Sequence, residues 1–227
     1  MRKLLLSILL IGSLVSYSQT AKIKVVFVAT IDTTFTIVSF DSNRKFSINF
    51  KQDWDNDLKQ HLDTNKYVLY FDTLPENMKK FSWSTIWYSK TSLNVTNWLS
   101  GLRNKGYDII LVHYRCPIID SEYSGILSNK GYGLMLANNQ AFALNGVNAY
   151  RVSDFKRLAF MGLFSTDDFI KNLDKKAKIK KPIEEIAISD LTAAIQGVKE
   201  LNRKIAVENV CKKMNSTEFQ SLFYKKK

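Results

Sequence analysis

Apolar and polar positions alternate along this chain in two different rhythms. Ile23 to Ala29 is an almost unbroken apolar run and predicts a mostly buried strand. Asp32-Thr33-Thr34 can turn the chain, and Phe35 to Phe40 is β-branched and aromatic. The two segments predict a hairpin. Phe46 to Phe50 alternates strictly and predicts a short third strand. Asp53 to Leu62 predicts a helix capped by Asp53, with Asp55 and Asp57 in its electropositive first turn. Tyr67 to Phe71 is a compact strand. Leu74 to Trp87 has no clear period.

Thr91 or Ser92 can cap a helix carrying Leu93, Trp98, Leu99 and Leu102, with Gly106 ending it. It leads into Tyr107 to Tyr114, the strongest strand signal in the chain, predicted at the middle of a sheet. Arg115 to Lys130 reads as a long loop. Gly131 to Ala137, Phe142 to Leu144 and Val147 to Val152 predict a strand meander, with a turn at Asn138-Asn139. Phe155 to Leu163 reads as one more strand or a helix. A helical region is predicted from Thr166. Beyond Pro182, Ile188, Leu191, Ile195, Val198, Leu201, Ile205 and Val210 recur every three to five residues and predict one long C-terminal helix, from Glu184 to about Met214. The expected fold is a single α/β (mixed α+β) domain: a mixed, mostly antiparallel sheet covered by helices.

The first residues follow another logic. Arg2 and Lys3 precede an apolar stretch from Leu4 to Val15, followed by the small residues Ser16 and Ser18. This is the pattern of a secretory signal peptide over residues 1–18, with the domain occupying 19–227. The apolar stretch is shorter than the roughly 20 residues a membrane span needs. The expectation is an exported protein, periplasmic or extracellular, with no transmembrane span in the mature chain. A short signal followed by Gln19 is in the style of exported Bacteroidetes proteins.

Composition changes the picture only in part. The chain has 227 residues and a formal net charge of +12, so it is basic and long enough for a full core. The Lys171 to Lys181 run, Arg44-Lys45 and the Lys225 to Lys227 tail carry much of that charge. Such patches attract anionic polymers, though a solvated lysine-rich surface is the favoured reading. No recognition motif accompanies them, and export argues against a nucleic-acid partner.

Candidate chemistry is sparse. Asp53, Asp55 and Asp57 have the alternate spacing of an extended calcium loop, but Leu58 and Thr64 stand where an EF-hand needs Gly and Glu. His113 and Cys116 lie where the central strand leaves its sheet, which is where ligands bind in open α/β sheets. With Asp120 or Glu122 they could form a hydrolase site, although residues three apart on a strand face opposite ways. Cys116 and Cys211 are the only cysteines and could form one disulfide or remain buried thiols. Trp83 and Trp87, with Phe81 and Tyr88, form an aromatic cluster that could anchor a partner or sit in the core. There is no Gly-x-Ser-x-Gly elbow, no phosphate-cradling glycine loop and no His-Glu-x-x-His. Two histidines exclude a multi-His zinc site, and no cofactor is expected.

Several short motifs occur in a recognisable order: Val25-Val26-Phe27, Asp32-Thr33-Thr34-Phe35, Asp53-Trp54, Gly106-Tyr107-Asp108 and Gly131-Tyr132-Gly133-Leu134. This order, over residues 22 to 163, resembles a group of uncharacterised exported bacterial α/β proteins. Asp41 to Phe46 stands where that group carries Gly-Thr-Thr-x-Phe. The resemblance implies the fold and the exported setting and carries no activity. Missing catalytic sets and a compact domain point to a binding or scaffolding module of the envelope. An envelope hydrolase near His113 is the alternative.

Overall fold

A computed structural model describes residues 21–29, 34–75, 93–115, 127, 130–162 and 166–224. The expected signal segment, Trp83, Trp87, Cys116, Asp120, Glu122 and the terminal lysines lie outside the described residues.

The chain builds an α/β fold around two five-stranded sheets rather than one. The first contains β1 (Ile23–Ala29), β4 (Tyr67–Thr73), β5 (Ile109–Arg115), β8 (Asn145–Arg151) and β9 (Arg157–Met161), in the order β4-β1-β5-β8-β9. β1 runs parallel to β4 and β5, while β8 and β9 are antiparallel additions. The second contains β2 (Thr34–Val38), β3 (Asn43–Ser47), β6 (Tyr132–Met135), β7 (Gln140–Ala143) and β10 (Ile170–Asn172), in the order β10-β7-β6-β2-β3. The pairings are mostly antiparallel, as expected. The helices are α1 (Lys51–His61), α2 (Leu93–Asn104), the one-turn α3 (Thr166–Phe169), α4 (Thr192–Arg203), α5 (Lys212–Asn215) and α6 (Thr217–Tyr224).

β1 and β2 are not a hairpin. They enter different sheets, because both faces of β1 are apolar and must be covered while β2 exchanges hydrogen bonds with β3 and β6. β3 ends at Ser47, and Phe50 is buried just before α1 instead of extending the strand. β9 confirms the strand reading of the 155–163 segment. The helix expected from Thr166 lasts one turn and gives way to β10.

β5 occupies the centre of its sheet, as its apolar run requires. One face packs Val25, Phe27, Ile109 and Leu111 against Trp54 and Leu58 of α1 and against Ile205, Val210 and Met214. The opposite face packs Val26, Ile110 and Val112 against Leu99 and Leu102 of α2. In the second sheet, Phe35, Ile37, Leu134 and Ala141 meet Leu191, Ala194, Val198 and Leu201.

The C-terminal helix therefore serves both sheets. Short 3₁₀ turns at Ile183–Glu185 and Ile188–Leu191 precede α4, so regular winding starts later than Glu184. From Lys204 to Cys211 the winding opens to a π-helix, with the Lys212 N–H donating to the Val207 carbonyl five residues back. That opening matches the five-residue step from Ile205 to Val210. A uniform 3.6-residue repeat would carry this part of the apolar stripe off the first sheet.

Two glycines explain the Gly-Tyr-Gly motif. Gly131 takes φ +74°, and a Cβ on Gly133 would lie 1.9 Å from the Thr36 carbonyl oxygen. Only glycine lets β6 approach β2 this closely.

Candidate functional site

α1 sorts its residues by helical period. Trp54 and Leu58, four apart, are buried against the first sheet. Asp53, Asn56 and Asp57 lie at the i, i+3, i+4 spacing of another stripe. α4 does the same: Val198 and Leu201 point to the core, while Gln196, Lys199, Glu200 and Arg203 form a polar stripe. The two polar stripes face each other across a cleft of about 290 Å³.

Charges meet in register across this cleft. Lys199 Nζ lies 3.3 Å from Asp53 Oδ1, and one turn further Arg203 Nε lies 3.9 Å from Asp57 Oδ1. Glu200 is engaged from the side by Lys171, which lowers its pKa, and by the Gln196 carboxamide. Burial pushes the Asp57 carboxyl above the usual carboxylate range, even though Arg203 and His61 pull the other way. The Arg203 side chain is 65% exposed, so its guanidinium remains open to solvent and to a ligand.

The three aspartates singled out in sequence are on a helix, not in an extended loop. α1 starts at Lys51, whose N–H is accepted by Asn49 Oδ1, so Asp53 lies within the first turn and is not the cap. Asp55 lies off the cleft stripe and pairs with Lys51 at 2.6 Å. Asp53 and Asp57 line the cleft. No group of three His, Cys, Asp or Glu gathers as a metal set among the described residues.

His113 is buried in the first sheet, not exposed at its rim. Its ring lies 4.1 Å from that of Trp54 and 5.8 Å from that of Phe27, centroid to centroid. Burial pushes its pKa down to about 3, against a hydrogen bond with Asn145 that favours the charged form. Asn145 stands where the chain leaves β7 of one sheet for β8 of the other, and its Nδ2 donates to Asn202 Oδ1 at 2.9 Å. Asn202 stands where the C-terminal helix passes from one sheet to the other. His113, Asn145 and Asn202 thus tie the two crossings together, which is a structural task.

Cys211 is a free thiol, buried, with a pKa pushed up to about 12 by burial and by the Asp57 charge. Cys116, the other cysteine of the expected pair, lies outside the described residues. Lys175, Lys176, Lys178 and Lys180 are exposed, whereas Lys181 pairs with Asp190 at 2.8 Å.

Asn56, Gln196, Lys199, Glu200 and Arg203 carried no signal as site residues. The apolar stripe of the C-terminal helix implies a polar one beside it, but nothing local says that it will face the polar stripe of α1. No protein-family model matches the chain, and no curated protein matches it either. Function therefore rests on the site itself.

Proposed function

We propose that this protein is a non-enzymatic binding module of the bacterial envelope and that the α1–α4 cleft is its ligand site. The observation that carries the reading is the cleft: a small concavity lined by two carboxamides and by charges held in loose pairs whose cations are exposed. Partly exposed ion pairs of this kind are worth about 0–1 kcal/mol each, so a ligand can replace them at little cost. Export rests on the basic, apolar and small-residue order of residues 2–18.

The hydrolase alternative needs an accessible base. His113 is 3% exposed, packed against the rings of Phe27 and Trp54 and neutral at ordinary pH, which weighs against general-base work there. Among the described residues no helix is long and apolar enough to cross a membrane. The exposed lysines at 175–180 leave an anionic envelope polymer as a further partner class.

Amide-resolved NMR on the chain from Gln19 onward tests the proposal. The probes are small amino acids, monosaccharides and polyphosphate, with chromogenic ester and amide substrates alongside. Saturable shifts at residues 53–57 and 196–203 without turnover support a binding module. Turnover abolished by Cys116→Ser would overturn it in favour of the hydrolase. Shifts confined to the 175–180 lysines would move the binding surface away from the cleft.

A further inference from the structure

Taking the α1–α4 cleft as the binding site, we infer that its ligand is a zwitterion of the α-amino-acid type, with its ammonium at Asp57 and its carboxylate at Arg203. The argument starts from charge. Glu200 is already held by Lys171, which leaves two carboxylates on α1 facing two cations on α4. Such a cleft has no net charge with which to select a purely anionic or purely cationic ligand. It does have separated rows of opposite sign, and a ligand carrying both charges fits that arrangement.

The Asp57–Arg203 pair is where the ligand enters. At 3.9 Å it sits at the outer limit of an ion pair, while Lys199 and Asp53 are closer at 3.3 Å. The Asp57 side chain is mostly buried and Arg203 only partly compensates it. An ammonium brought against Asp57 supplies the missing compensation. The displaced guanidinium of Arg203 then presents its fork to a carboxylate, the geometry in which Arg binds most strongly. Asn56 and Gln196 supply neutral donors and acceptors beside it.

Two further observations narrow the class. Among the described residues no aromatic side chain lines the cleft, so they offer no stacking platform for a sugar ring or a base. Its volume of about 290 Å³ suits an amino acid or a short peptide, not a folded partner. Free amino acids and short peptides share the recognising chemistry, and the test separates them.

The test is calorimetry and amide-resolved NMR on the exported form with L-alanine, dialanine, N-acetyl-L-alanine and L-alaninamide. The expected result is saturable binding of L-alanine or dialanine, with shifts at residues 53–57 and 196–203. Each charge-blocked analogue should bind about tenfold more weakly or worse, as loss of one charge-assisted contact implies. Asp57→Asn should weaken the zwitterion but not N-acetyl-L-alanine, and Arg203→Gln should weaken the zwitterion but not L-alaninamide. Stronger binding of L-alanine identifies a free amino acid, and stronger binding of dialanine a peptide. Equal binding of blocked and unblocked forms would overturn the inference. So would cleft shifts caused only by monosaccharides or polyphosphate, although the cleft would then still be the binding site. No cleft shift with any probe would overturn both readings.

Discussion

On its inner side the α1–α4 pair holds Trp54, Leu58 and Asn202; on its outer side it holds Asp53, Asp57, Lys199 and Arg203. Both sides contain polar groups. The inner ones are fixed by ring stacking and by the Asn145–Asn202 hydrogen bond, in surroundings where each lost partner is expensive. The outer ones are paired at 3.3 and 3.9 Å with solvent access, so partners can be exchanged. The difference separates groups that define the fold from groups free to take a ligand, and His113 belongs with the first set.

The hardest test of that division is Trp54→Ala. Trp54 is 1% exposed and packs on both Phe27 and His113. The variant should lose about 3–5 kcal/mol in urea unfolding. A loss below about 1 kcal/mol would mean that the inner side is not the fixed region. Gly133→Ala should follow, at about 1–3 kcal/mol or more, because its Cβ meets the backbone of β2 rather than a flexible side chain.

Acid tests the same inner side through His113. Its folded-state pKa is about 3, below an unfolded value near 6.5. Below pH ~6.5 the unfolded chain takes up a proton that the folded chain refuses. Stability therefore falls with falling pH, by up to about 1.4 kcal/mol per unit, until roughly pH 3. His113→Phe removes this contribution, so the difference in acid slope between the two proteins reads it directly. Equal slopes would place His113 in contact with solvent and reopen a chemical role for it.

Much of the fold was legible because burial writes itself into local pattern. The apolar runs of β1 and β5 predicted buried strands, and the three-to-five spacing from Leu191 to Val210 carried the π opening within it, whereas Ile188, expected on the same stripe, is exposed. The division into two sheets was not legible. Whether Phe35 to Val38 pairs with β1 or with β6 depends on a parallel contact about a hundred residues distant in the chain, and neither strand encodes its partner. The site was legible by half: Asp53 and Asp57 stood out, but their opposing stripe lies on a helix far along the chain. His113 was legible as a strand residue, but its packing against Trp54 and its bond to Asn145 join elements far apart in the chain, which no local pattern encodes.

Cys211 gives a chemical reading of the same contrast. With its thiol buried and its pKa near 12, it should resist iodoacetamide in the folded protein and react only on unfolding. Peptide mass mapping distinguishes it from Cys116. Rapid labelling of Cys211 in the native state would show that the π segment opens readily, and the inner side would then be less fixed than its packing indicates.

The smallest effect is expected on the outer side, and it sharpens the comparison most. Asp57→Asn deletes one carboxylate of a 3.9 Å pair and leaves Arg203 exposed to water. Because burial holds the Asp57 pKa up, its charged form is disfavoured in the folded protein, so neutralising it removes little stability. Urea unfolding of Asp57→Asn should match the parent within about 0.5 kcal/mol. A marked gain would mean that the parent tolerates an unfavourable charge for the sake of a ligand, as strained sites do. A loss above about 2 kcal/mol would place Asp57 among the fold-defining groups, and the cleft would have to be read as an interhelical clamp.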